Sequence, residues 1–160
     1  MAKLEATNFH RVGEFHRSFS LPVEPLPVVP DDGTVRLRLA LLLEECHELA
    51  EAICQSPDEE QQAFLDTLAK ARQQLESLKG FDVDLVEVAD ALTDINYVTY
   101  GAGHTFGIDL DATCVEVHRS NMSKLGADGK PVKDARGKVL KGPDYSPPSL
   151  EKVLAAQGAV

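Results

Sequence analysis

The run from Val35 to Ile53 constrains this chain more than any other. Its apolar residues Leu39, Leu42, Leu43, Cys46, Leu49, Ala50 and Ile53 recur at helical spacing, and nothing in it breaks a helix. A long amphipathic helix must bury that stripe against other elements, and the flanking segments supply them in kind. Before it, LPVEPLPVVPDDG at 21–33 carries four prolines and a glycine, which excludes a regular helix and predicts an extended connection. Upstream of that linker, Phe9, Val12, Phe15, His16 and Phe19 predict a short amphipathic helix over Asn8 to Ser20.

After the long helix, Ser56 as cap, Pro57 in the first turn and Glu59 at the capping-box position predict a new helix start. The stripe Phe64, Leu68, Ala71, Leu75 and Leu78 continues it to Lys79 and Gly80. Asp82 to about Tyr100 is apolar over more than half its circumference, the pattern of a helix lying in the middle of a bundle. Gly101, Gly103 and Gly107 are expected to loosen its end, and Asp109 to cap a last helix through Met122. Beyond Gly126 the composition turns to Gly, Lys and Pro. A short hairpin at Asp128 and Gly129 fits there, but no strand is long enough for a sheet core. The expected fold is all-α: one domain over 1–160, with an N-terminal helix and Pro-rich linker at 1–34, a helical core at 35–122 and an irregular tail at 123–160.

No run approaches the roughly 20 apolar residues of a spanning helix, and the N-terminus lacks a basic segment followed by an apolar one, so a cytoplasmic protein without membrane contact is expected. Cys46, Cys54 and Cys114 are odd in number and lack a C-x-x-C pair, which suits reduced thiols. A formal charge of −10 argues against a nucleic-acid surface. Acidic excess becomes informative only where carboxylates converge, because a divalent cation can neutralise them and bridge to a phosphate.

Residues three apart share a helix face, so Glu45 with Glu48 and Glu87 with Asp90 form two carboxylate pairs. Glu87, Asp90, Asp94 and Tyr97 gather opposite the stripe of Leu85, Ala89, Leu92 and Ile95. A solvated helix face shows the same spacing. The distinguishing context is a very apolar helix that keeps three acids on one line, where like charges repel unless solvent or cations intervene. Hard oxygen ligands without Cys or paired His select Mg²⁺, with Mn²⁺ as the alternative, over Zn²⁺. Such metals polarise a phosphoryl oxygen while a spare carboxylate positions or deprotonates water, a role open to Glu44.

Glu44-Glu45-Cys46-His47-Glu48 followed by Glu87-Val88-Ala89-Asp90 resembles the E-E-x-x-E and E-x-x-D signature of the MazG-like, all-α nucleoside triphosphate pyrophosphatases. FHRSFSLP at 15–22 and HRSNMSKLGADGKPVKDARGKVLKGPDYSPP at 118–148 resemble the N- and C-terminal blocks of a MazG-like subgroup. The resemblance implies hydrolysis between the α and β phosphates, giving a monophosphate and pyrophosphate, with Mg²⁺ held by Glu45, Glu48, Glu87 and Asp90. It also implies a bundle completed by a second subunit, as a homodimer or a dimer of dimers. The 38 residues between Glu48 and Glu87 exceed the gap of simple MazG domains. Longer inserts of this kind occur in the related dimeric dUTPases, which makes dUTP or another non-canonical deoxynucleotide the expected substrate.

Asn121 and Lys124 resemble the family's Asn and basic phosphate-contact positions, with Arg119 nearby. Lys124, Lys130, Lys133, Arg136, Lys138 and Lys141 concentrate positive charge that can offset a triphosphate. His16, Phe19 and Ser20 are candidates for a base pocket, with Phe19 stacking on the ring; a helix packing its aromatics into the core is the competing interpretation. Asn96 and Tyr97 follow the E-x-x-D turn and are candidates for the sugar. Two other functions compete. A di-iron bundle needs two E-x-x-H pairs, and only Glu44 with His47 supplies one. A helical module that binds nucleotide and metal without turnover would not require four intact acids.

Overall fold

The computed structural model describes residues 6–133 and 139–158, so Arg136 and Lys138 of the basic segment lie outside the described residues. The described residues form six α-helices and no named strand: α1 (Asn8–Ser18), α2 (Asp32–Ile53), α3 (Glu59–Gln74), α4 (Leu85–Phe106), α5 (Leu110–Met122) and α6 (Leu150–Ala156). They divide into two compact units, one of Pro27–Val88 and one of Met1–Leu26 with Ala89–Val160, the boundary falling within α4.

The Pro27–Val88 unit is a helical hairpin. Asp31 caps α2, its carboxylate accepting from the Thr34 amide at 3.0 Å and the Thr34 hydroxyl at 2.8 Å. Asp58 caps α3 in a reciprocal box: its carboxylate accepts from the Gln61 amide at 2.8 Å while Gln61 Oε1 accepts from the Asp58 amide at 3.1 Å. The two helices run antiparallel, as three contacts show. Gly80 N donates to Asp32 at 2.7 Å, Arg36 Nη1 to the Leu78 carbonyl at 2.7 Å, and Arg72 pairs with Glu44 at 2.9 Å. Leu65 and Leu75 are buried in this unit, the latter in a 3₁₀ turn over Leu75–Ser77 that ends α3.

In the other unit α1 and α5 run parallel, since Asn8 donates to Asp111 at 2.6 Å and Glu14 meets His118 at 3.3 Å. Phe19, just past α1, is fully buried and stacks on Phe15 with ring centroids 4.3 Å apart. Asp109 caps α5, accepting from the Asp111 and Ala112 amides, and donates its own amide to Gln157 Oε1 beyond α6 at 2.9 Å.

Several expectations change. The cap of α3 is Asp58 rather than Ser56, because a carboxylate two residues on completes the box with Gln61. α2 begins at Asp32, earlier than its apolar pattern, because Asp31 supplies a cap. α4 runs through Gly101 and Gly103 to Phe106, since an interior glycine costs a helix only about 1 kcal/mol. Only Gly107, at φ 70°, turns the chain out of it. Gly103 is buried there with Leu110 packed so closely on it that a Cβ would lie 2.7 Å from Leu110 Cγ. On α4, Val86, Tyr97 and Val98 are 75%, 81% and 65% exposed. The tail is less irregular than expected. An antiparallel bridge joins Leu125 to Pro131 around the Asp128–Gly129 turn, another joins Lys133 to Val139, and α6 follows, a helix too short to announce itself by periodicity.

Candidate functional site

Helix α2 carries Glu44, Glu45 and Glu48 on successive parts of one turn. Glu45 and Glu48 are exposed, and Glu44 is half-buried with its carboxylate committed to Arg72. Partial loss of solvent, then repulsion from Glu48 and Glu44, push the Glu45 carboxyl above its ordinary value. Glu87 and Asp90 sit three apart in the first two turns of α4, both exposed. Asp84 starts that helix, accepting from the Val86 amide at 2.8 Å and the Glu87 amide at 3.3 Å.

Among the described residues, none of Glu45, Glu48, Glu87 and Asp90 has a Lys, Arg or His nitrogen within 4.0 Å. Nor are three or more His, Cys, Asp or Glu side chains gathered, among the described residues, closely enough to hold a metal ion. All-oxygen donors of this kind suit a hard divalent cation.

The other candidates divide by what already engages them. Lys124 Nζ donates to Asn121 Oδ1 at 2.7 Å, bringing the two phosphate candidates together at the end of α5. Arg119 makes a two-pronged pair with Glu116, Nε to Oε2 and Nη2 to Oε1, each 2.8 Å, and donates to the Pro147 carbonyl at 3.0 Å. Asn96 turns its amide to the Leu92 carbonyl of its own helix at 3.1 Å, whereas Tyr97 is exposed on α4. His16 Nδ1 lies 2.9 Å from the Pro22 carbonyl and lines a surface hollow of about 260 Å³ with Phe9, Val12 and Val23. Phe19 instead takes the packing role: its ring is occupied by the interior and Phe15. Ser20 next to it holds a left-handed φ of 53°, an uncommon geometry for a residue with a side chain.

Sequence reasoning missed two constellations. Glu116, three residues before Arg119, was available as an i, i+3 ion pair on a helix. The Asn8–Tyr100–Asp111 triad, in which Tyr100 Oη donates to Asp111 at 2.8 Å and Asn8 to Tyr100 at 2.9 Å, carried no local signal because its members come from three helices.

Residues 12–121 match the phosphoribosyl-ATP pyrophosphohydrolase family. The chain belongs to that family. Both carboxylate pairs, Arg119 and Asn121 fall inside the span that matches this pyrophosphohydrolase family, and Lys124 and the tail follow it. The chain is also similar to the crystal structure of a candidate NTP pyrophosphohydrolase from Exiguobacterium sp. 255-15, with a TM-score of 0.74 and 26% identity over 96% of this chain and 97% of that one. The two likenesses agree on the all-α nucleoside triphosphate pyrophosphatase superfamily. An uncharacterised protein, L479 of Acanthamoeba polyphaga mimivirus, is 31% identical over 131 residues; the match covers 79% of this chain and 39% of that protein. No helix of the described residues is long and apolar enough to cross a membrane.

Proposed function

We propose that this chain is a Mg²⁺-dependent nucleoside triphosphate pyrophosphohydrolase that cleaves between the α and β phosphates, with dUTP or another non-canonical deoxynucleotide as substrate. Membership of a pyrophosphohydrolase family is the observation that carries the reading. The carboxylates of Glu45 and Glu48 on α2 and of Glu87 and Asp90 on α4 would supply its donor set.

Glu45, Glu48, Glu87 and Asp90 would hold the cation. Once bound it would polarise a phosphoryl oxygen and acidify water, with Mn²⁺ the natural substitute. The repulsion that raises the Glu45 carboxyl is what a cation would relieve. Lys124, presented by Asn121, neutralises charge on the outer phosphates. Glu44 can accept a proton from the attacking water only after leaving Arg72, so substrate entry has to break or bypass that pair. Tyr97 and Asn96 face the sugar, and His16 with Ser20 the base edge.

The working form is a homodimer or a dimer of dimers. A single chain leaves Val86, Val98 and Phe106 of α4 largely uncovered, and burying such faces yields about 25 cal/mol per Å². The setting of this nucleotide-pool chemistry is the cytoplasm.

Pyrophosphate release over common, damaged and uracil-containing nucleotides, and phosphoribosyl-ATP for which the family is named, tests the reading directly. Release from a deoxynucleotide in preference to phosphoribosyl-ATP is expected. Binding without release from any of them would favour the non-catalytic module. Glu48→Gln is expected to abolish turnover, and a near wild-type rate at saturating Mg²⁺ would remove Glu48 from the ligand set.

A further inference from the structure

After the bridge between Lys133 and Val139, the chain runs back along α5 in a single antiparallel register. Gly142 N donates to the Lys124 carbonyl at 3.1 Å. Ser146 N donates to Ser123 Oγ at 2.9 Å, Arg119 reaches the Pro147 carbonyl, Ser149 N donates to Glu116 Oε1 at 2.7 Å, and Gln157 meets the Asp109 amide. The attachments descend α5 from 124 to 109 as the tail ascends from 142 to 157. This part of the chain lies beyond the span that matches the family.

The strap is tied most firmly at its middle. Glu116 accepts three hydrogen bonds, two from Arg119 and one from the Ser149 amide, and Arg119 spends a further one on Pro147. The Glu116 side chain is only 17% exposed, and the Arg119 guanidinium followed by the Ser149 amide holds its carboxyl down at about 2. At the other end the fit is steric. Gly142 lies so close to the turn that follows α5 that a Cβ would overlap the Leu125 carbonyl and stand 2.9 Å from the Lys124 carbonyl oxygen. The backbone that carries Lys124 is thus braced from outside by the strap.

We propose that Glu116 and Arg119 are positioning residues: they clamp a C-terminal strap onto α5, and the strap fixes the backbone of Lys124 so that its ammonium, held by Asn121, meets a substrate phosphate. Arg119 then serves the phosphate through the strap and not by touching it. The last step rests on the phosphate role assigned to Lys124 above. The clamp itself does not.

Amide hydrogen exchange on the full chain without nucleotide separates the two parts. In Glu116→Gln and in Arg119→Ala, exchange is expected to rise about tenfold or more at Ser149 and at Gly142, seven residues up the chain. Loosening at Ser149 alone, or at neither, would overturn the strap. Kinetics with the best nucleotide of the panel read the consequence. Both variants should raise KM roughly tenfold with kcat within about twofold, and the double variant should be no worse than either single one. Gly142→Ala, which leaves the clamp residues intact, should give the same rise in KM. If Arg119 touched phosphate directly, Arg119→Ala would raise KM while Glu116→Gln left it unchanged, and the positioning role would be wrong. A wild-type chain that releases no pyrophosphate defeats the proposed function instead, while exchange at Gly142 still decides the strap.

Discussion

Two glycines of α4, two residues apart, should respond in opposite directions to the same added methyl group. At Gly101 a Cβ would meet nothing within 4 Å, so Gly101→Ala gains the helix preference of alanine, about 0.8–1 kcal/mol. At Gly103 the same gain competes with overlap: the Cβ would lie 2.7 Å from Leu110 Cγ, 2.8 Å from its Cδ1 and 3.1 Å from the Ile108 carbonyl oxygen. Two of those contacts are with the branched part of a side chain and one is with backbone, so relief requires α5 to shift. Overpacking of this kind costs about 1–3 kcal/mol, which leaves Gly103→Ala destabilised by about 1 kcal/mol net. The two variants should differ by about 2 kcal/mol. With an m-value of about 2 kcal/mol per molar urea, their unfolding midpoints, followed by far-UV circular dichroism, should lie about 1 M apart on either side of the wild type. Leu110→Ala removes the obstructing branch, so the pair Gly103→Ala and Leu110→Ala should be coupled by about 1 kcal/mol. A Gly103→Ala variant as stable as Gly101→Ala, or additivity with Leu110→Ala, would refute the packing argument.

Three other outcomes follow from particular contacts. Leu65→Ala opens the buried interface of the α2–α3 hairpin, where the leucine is 6% exposed; a loss of about 2–5 kcal/mol is expected in denaturant unfolding, and a loss under 1 would mean that the hairpin does not depend on that contact. Glu45→Gln removes a like charge beside Glu48 and Glu44, so without metal it should stabilise the chain by roughly 0.2–0.5 kcal/mol. In melting scans its stabilisation by added Mg²⁺ should fall below that of the wild type, and an equal Mg²⁺ response would take Glu45 out of the site. Glu116 has a lowered carboxyl pKa, so its contribution is present above the ordinary value of 4.5 and lost as pH falls through about 2. Exchange protection at Ser149, after correction for intrinsic rate, should hold from neutral pH down to the ordinary value of 4.5 and then fall progressively towards about 2, whereas protection unchanged across that lower window would show that the clamp is not holding the carboxylate.

The helices were legible because their determinants are local. The stripe of α2, the Asp109 cap and the end of α5 at Met122 depend on residues within one or two turns, and the structure places them where the pattern does. Boundaries moved where two local signals competed, as when Asp58 with Gln61 displaced Ser56 as the cap of α3. The acid pairs were equally legible, since three-residue spacing on a helix is enough to place Glu45 with Glu48 and Glu87 with Asp90 on shared faces. The state of each candidate's neighbours was not. Arg72 on Glu44 is a contact across 28 residues, and the strap's ties to Arg119 and Glu116 join positions 28 and 33 apart in sequence.

The sequence by itself thus determined which segments are helical and which faces are apolar or acidic, because those properties repeat at the period of one helix, and its carboxylate motifs carried the family resemblance. Only tertiary structure decided that Phe19 packs inward, that Asn8, Tyr100 and Asp111 meet from three helices, and that the tail returns along α5 as a strap. Each of these depends on closing a loop between distant residues, where the gain comes from contacts that no local pattern encodes.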